Sequence, residues 1–219
     1  MGLFRGELLN RVKPIHRRMR DQKIDLFLRF VGNLPMRAKL LDVGGGTGID
    51  GEFLRLYARF AEVVMVNLHT SSLEASNGMH IKSVKADGCA LPFESRSFDW
   101  VFSNAVIEHV GDFARQRCFA EEIRRVAAKG YFVTTPNKHF PIEPHTLLPF
   151  YQYLPPGPQR YLVRLSPGYM REPLQINLLS NRDLRVLFPE ASVRKIGFRL
   201  LPNSLVAMHK RHQEFPGRI

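Results

Sequence analysis

The sequence predicts an α/β fold: a seven-stranded, mostly parallel sheet with helices on both faces and an antiparallel C-terminal strand. Three observations lead there. Short apolar runs alternate with helical patterns between residues 38 and 135. A glycine-rich turn, "LDVGGGTG", follows the first run. The last two runs, at 192–200 and 204–209, are joined only by "LPN", which suits an antiparallel pair at a sheet edge.

In chain order, Phe4 to Val31 mixes basic residues with Ile15, Met19, Ile24, Leu28 and Val31 at three- to five-residue spacing, so helical segments with one apolar side are expected. Strands follow at 38–43, 62–67, 80–86, 97–103 and 130–135, with helices at 48–59, 71–77 and 112–128. Two helix starts carry capping boxes, Ser71 with Glu74 and Ser180 with Asp183, the second opening a helix at 181–188. Between Thr135 and Asn177 the periodicity stops. The segment is rich in proline and holds Phe140, Phe150, Tyr151, Tyr153, Tyr161 and Tyr169, so it is expected to pack as a cap on the end of the sheet.

These pieces organise as one domain over 1–219: a basic helical extension at 1–36, a core at 37–136, the aromatic and proline-rich cap insertion at 137–178, a helix and strand pair at 179–210, and a tail at 211–219.

The net charge of +12 is unevenly placed. Residues 1–40 carry ten Lys/Arg against three Asp/Glu, residues 41–150 eleven against thirteen, and residues 151–219 eleven against four. Basic flanks suit solvated helix faces or a positive surface for an anionic substrate, anionic lipid or nucleic acid. Two cysteines, Cys89 and Cys118, make no disulfide framework and stand in no metal-ligand spacing. A reducing cytosol is the expected location, with peripheral contact at the inner membrane face a second placement, since no apolar run reaches the roughly 18 residues of a membrane span.

An open parallel sheet binds ligands beyond the carboxyl ends of its strands, so the turn after the first strand is the expected cofactor contact. A dinucleotide fingerprint GxGxxG would put its third glycine on Ile49; the spacing instead reads DxGxGxG, with Asp42, Gly44, Gly46 and Gly48.

The landmarks then fall in order: "LDVGGGTG", "VVMVNLHTSSLEAS", "VKADGCALPF", "SFDWVFSNAVIEHV" and "GYFVTTPN". Together they resemble the class I S-adenosylmethionine-dependent methyltransferases, of the small-molecule branch called type 11, from about Lys39 to Pro136. The resemblance implies a Rossmann-like sheet and S-adenosyl-L-methionine as cofactor, with S-adenosyl-L-homocysteine as product. It implies cofactor contacts at Asp42, Gly44, Gly45, Gly46 and Gly48. Asn67 and Leu68 would meet the ribose and adenine, Asp87, Gly88 and Cys89 the adenine, and Asn104, at the end of the fourth strand, would be a further cofactor contact. Cys89 reads, apart from that, as a small apolar filler.

At position 67 the family usually has Asp or Glu, whose oxygens accept from both ribose hydroxyls. Asn67 lacks the charge, so an aspartate there is expected to bind the cofactor as well or better.

For catalysis, His109 beyond the fourth strand is the candidate base, with Glu108 beside it to orient it. His139, Glu143 and His145 form a second cluster after the fifth strand, of which His145 is the candidate acceptor-side residue. Pro141 and Pro144 break any helical face there, so no metal site is expected.

The cap is the expected acceptor site, its Arg160, Arg164 and Arg171 suiting a phosphate or carboxylate. The stretch "TPNKHFPIEPHT" is similar to methyltransferases of bacterial surface-polysaccharide and lipid-linked glycan assembly, which implies O-methylation of a small-molecule, sugar or lipid-linked acceptor. Two alternatives stay open: an RNA or protein methyltransferase using the basic flanks, and a catalytically silent cofactor-binding partner protein. Against the first stands "SNAV" in place of an NPPY-like segment.

Overall fold

The computed structural model describes residues 2–45, 53–68, 80–143, 145–165, 176–198 and 200–211. The expected helix at 71–77, its Ser71–Glu74 capping box, and Gly46 and Gly48 lie outside these residues.

The strands are β1 (Lys39–Val43), β2 (Glu62–Asn67), β3 (Ile81–Lys85), β4 (Phe98–Asn104), β5 (Ala127–Pro136), β6 (Ser192–Ile196) and β7 (Ser204–Lys210). They form one sheet in the order β3-β2-β1-β4-β5-β7-β6. The first five run parallel, and β7 inserts antiparallel between β5 and β6. The strand order reverses between β1 and β4, the place where such sheets open a ligand crevice.

The inner strands β1, β2, β4, β5 and β7 are buried on both faces, which is why their sequences read as largely apolar runs, whereas the edge strands β3 and β6 are part-exposed and more polar. On one face Leu41, Val43, Val101 and Val133 pack under helices α3 (Phe113–Val126) and α5 (Asn181–Leu187). On the other, Leu40, Met65, Phe102 and Phe132 pack against α1 (Gly2–Val31) and α2 (Leu54–Tyr57). The last turns of α1 belong to this layer: Phe27 is fully buried, its ring 5.1 Å from Phe102 and 5.3 Å from Phe132. A segment that reads as a basic extension thus closes one side of the core.

Helix α3 starts at Asp112, whose carboxylate accepts from the Arg115 amide, and ends at Val126 because Ala127 already begins β5. The Ser180–Asp183 capping box forms with both reciprocal bonds.

The cap leaves β5 at Asn137 and returns at Leu179, the two residues forming a parallel bridge. Between them, among the described residues, lie single turns at Tyr151–Tyr153 and Val163–Leu165, the short helix α4 (Pro156–Leu162), and Phe150 in a left-handed conformation. Phe140 stacks on Phe198, which ties the cap to the loop after β6.

Candidate functional site

Beyond the carboxyl ends of β1, β2 and β4 lies a cleft of about 310 Å³, lined by Gly44, Asn67, Leu68, Asp87, Gly88 and His109 among others. Gly44 has φ +85°, and a Cβ there would fall 2.2 Å from a Val106 methyl, so both backbone and space exclude a side chain. At Gly88 a Cβ would meet the Phe119 ring at 2.6 Å. Main chain therefore forms the cleft walls at both points.

Asn67 donates through Nδ2 to the Gly45 carbonyl at 3.2 Å, holding the glycine turn against the end of β2. Asp87 stands across the cleft. Its Oδ1 accepts from the Cys89 amide at 2.9 Å and its Oδ2 from Arg115 Nη2 at 2.6 Å, and these donors hold its carboxyl below the usual range. Leu68 is exposed and offers an apolar face. The Cys89 thiol faces the Arg115 carbonyl at 3.4 Å and is pushed up to about 11, first by burial and then by the Asp87 charge, so it is no nucleophile.

Asp42 and Asn104 face away from this cleft. Asp42, 3% exposed, points to the α1 and α2 side, where it accepts from the Tyr57 hydroxyl and supports Gly45 from beneath. Burial pushes its pKa up to about 7, against the opposing pull of the Tyr57 bond. Asn104 Oδ1 accepts from Thr134 Oγ1 at 2.8 Å and from Lys23 Nζ at 3.2 Å. Lys23 is lowered to about 8 by burial, an effect the Glu108 charge partly offsets. Sequence reasoning missed Lys23, because a lysine within a basic helix reads as solvent-facing.

The chain leaves β4 through Ala105, held left-handed at φ +56°, and makes a single turn at Ile107–His109. This turn is pinned from the cap's returning end. The Asn177 amide donates to the Glu108 carbonyl at 2.8 Å, and buried Gln116 donates to both the Ile107 and Asn177 carbonyls. The Glu108 side chain is fully buried. Its Oε2 accepts from Thr135 Oγ1 at 3.0 Å, while its Oε1 has no hydrogen-bond partner among the described residues, and burial raises its pKa to about 7. His109 lies outward, its Nε2 3.9 Å from Glu108 Oε1, and is lowered to about 4 by burial and then by nearby His145.

His145 comes from the cap and meets His109 edge to face, ring centroids 4.8 Å apart. Its Nδ1 lies 2.7 Å from Glu143 Oε1, and the buried Glu143 carboxylate also accepts from the His145 and Thr146 amides. Of the second sequence cluster, Glu143 and His145 are thus joined. His139 is apart from them, near the Tyr153 hydroxyl.

Glu143 in turn lines a second cavity, of about 520 Å³, under the cap. Its other polar lining includes Gln116, Lys138, Gln152, Gln159 and Arg160. Amides dominate over the aromatic faces the sequence suggested; Tyr161 is 73% exposed, with Arg164 6.0 Å over its ring. Arg171 lies outside the described residues.

Residues 41–134 match a family model described as a methyltransferase domain. No curated protein gives a significant match. Among solved structures, a protein of Pyrococcus horikoshii is similar at TM-score 0.58 and 18% identity, over 89% of this chain and 91% of that one. Geranyl diphosphate C-methyltransferase from Streptomyces coelicolor is similar at TM-score 0.59 and 13% identity, over 88% and 77% of the two chains. Phosphoethanolamine N-methyltransferase 2 of Haemonchus contortus, solved with S-adenosyl-L-methionine, is similar at TM-score 0.56 and 20% identity. That match covers 80% of this chain, which spans 38% of the nematode enzyme's length. These likenesses establish the fold.

Proposed function

We propose that the protein, an S-adenosylmethionine-dependent methyltransferase, passes the methyl group of that donor to a hydroxyl of a polar small molecule seated under the cap, a sugar or lipid-linked sugar being the favoured class. One observation carries this reading: His109, in the lining of the glycine-turn cleft, packs on His145, whose Nδ1 lies 2.7 Å from Glu143 in the lining of the cavity under the cap.

The cleft residues suit the donor. Gly44 and Gly88 let it approach main chain, and the presence of Asn67 and Asp87 in the lining of the same cleft supports a ribose contact for the first and an adenine amino contact for the second. When bound, the donor supplies a methyl carbon already activated by its sulfonium. The protein's main task is then alignment, and positioning of reactants supplies roughly 7–11 kcal/mol in favourable cases.

A hydroxyl acceptor must also lose a proton. His109 is neutral at pH 7 and has a free ring nitrogen, but it is weakly basic while its surroundings remain as they are. An imidazolium there would be stabilised by ionised Glu108, 3.9 Å away. His145, fixed by Glu143, presents its other edge to the same point. The amide-rich cavity offers donors and acceptors to a polyhydroxylated ligand, and Lys138 and Arg160 suit a phosphate on it.

The test is incubation of the full chain with labelled S-adenosylmethionine and cell extracts fractionated by polarity, with products identified by mass spectrometry. A labelled O-methyl glycoside or lipid-linked sugar is expected. Label found only on RNA or protein would overturn the acceptor reading, and absence of calorimetric binding by S-adenosylhomocysteine would overturn the donor reading.

A further inference from the structure

We propose that Glu108, His109 and His145 bind a divalent transition-metal ion of the zinc class, placed between the donor cleft and the cap cavity so that an open coordination position faces the acceptor. The placement toward an acceptor rests on the methyltransferase reading; the metal site itself does not.

One ligand atom from each of the three residues lies within 4.8 Å of the other two. Zinc bonds of about 2.0–2.2 Å set ligand atoms roughly 3.0–3.5 Å apart, so the cluster must contract by about 1 Å, within reach of small side-chain rotations. His109 Nε2 and Glu108 Oε1 already stand 3.9 Å apart.

A second observation points to a ligand independently. Glu108 Oε1 is buried in the wall of this cluster with no hydrogen-bond partner, whereas its sister oxygen is satisfied by Thr135. An orphaned buried carboxylate oxygen is costly, and a cation between it and the two imidazoles would supply its missing partner.

The surroundings have the form of an outer shell. Glu143 occupies His145 Nδ1, which directs Nε2 as the ligating atom, and backbone amides of His145 and Thr146 fix Glu143 in turn. A carboxylate orienting a metal-bound imidazole through its far nitrogen is the usual supporting arrangement.

The donor set also selects the ion. Two imidazoles and one carboxylate suit zinc and its first-row neighbours, where Mg²⁺ and Ca²⁺ call for oxygen ligands. Three protein ligands leave a position open, as in zinc sites that polarise a bound oxygen. With the ion bound, His109 serves as a ligand in place of a proton acceptor, and an acceptor hydroxyl held at the open position loses its proton to solvent more readily. Its oxygen then attacks the methyl carbon, and the sulfur–carbon bond breaks with its electron pair remaining on sulfur. Sequence spacing gave no hint of this set, because 36 positions separate His109 from His145.

The test uses full-length protein stripped with a chelator. Zn²⁺ is titrated by calorimetry, and Co²⁺ by the visible absorption it gains in a low-symmetry nitrogen and oxygen site. One tight site per chain is expected, weakened at least 100-fold by His145→Gln or His109→Gln and about 10–100-fold by Glu143→Gln. The chain has eight histidines, so the difference between wild type and variants is the reading that counts.

Equal affinity in wild type and His145→Gln, both melting cooperatively, overturns the site, as does the lack of any tight Zn²⁺ binding. If His145→Gln fails to fold, unchanged affinity in Glu143→Gln overturns it instead. S-adenosylhomocysteine titrated into the same stripped protein separates the two readings. If S-adenosylhomocysteine binds but added Zn²⁺ does not, the metal site alone is overturned; if Zn²⁺ binds but S-adenosylhomocysteine does not, the donor assignment alone is overturned.

Discussion

The Tyr57 hydroxyl donates to Asp42 Oδ2 inside the layer between the sheet and α2, so the acidic residue before the glycine turn is bonded away from the cleft it supports. Its raised pKa has a thermodynamic consequence. The folded state holds a proton on Asp42 up to about pH 7, whereas the unfolded chain releases it near the ordinary value of 3.8. Between these values the folded state binds more protons, and stability falls as pH rises. Asp42→Asn keeps an acceptor for Tyr57 and removes the titration. It is expected to match wild type near pH 4 and to exceed it by about 1–4 kcal/mol above pH 7, measured by denaturant unfolding across that range. A stability gap that stays flat with pH would refute the assignment.

Gly44→Ala strains the backbone at a positive φ and drives a methyl into Val106. A loss of about 1–3 kcal/mol in stability is expected, with S-adenosylhomocysteine affinity reduced at least tenfold by calorimetry. Val106→Ala in the same chain removes the two methyl clashes but leaves the Val106 Cβ at 3.0 Å and the backbone strain, so it should restore part of the stability.

Asn67 has a reason to be an amide: its Nδ2 holds the Gly45 carbonyl, which a carboxylate cannot do. Asn67→Asp exchanges that bond, worth about 1 kcal/mol, for a charge-assisted one to the ribose. Cofactor affinity is expected to stay within a few-fold of wild type or rise, while Asn67→Ala loses both and falls at least tenfold. Equal affinities for all three chains, by isothermal titration, would remove the residue from the ribose contact.

His109→Ala should lower turnover by about 10²–10⁴ with S-adenosylhomocysteine affinity within a few-fold of wild type, once the acceptor is known. Single-turnover rates and calorimetry on the same preparation check both halves. Unchanged turnover would make the residue part of the wall only.

The sheet was readable because its inner strands are apolar on both faces: β2 falls on 62–67 as expected, and the fifth strand starts three residues earlier than expected and ends one later. The Ser180–Asp183 box was readable because capping is local chemistry. Lys23 was not, since its contact with Asn104 depends on α1 docking by Phe27 against Phe102 and Phe132. Nor was the His109–His145 pair, which exists only because the cap folds back over the end of β4. Polar character of the cap cavity was hidden for a related reason. Composition shows its rings, but folding turns Gln116, Gln152 and Gln159 inward.

The bridge between Asn137 and Leu179 brings both ends of the cap to one spot, where Asn137 also bonds the Asn203 and Pro202 carbonyls. A loop whose stem is already closed can be traded for another of different length without moving the strands beneath it. Lineages carrying this architecture can therefore diversify their targets by recombining one surface module, provided that the new segment keeps an amide where Asn177 now holds the Glu108 carbonyl. Grafting a foreign cap at these two residues is the corresponding engineering route.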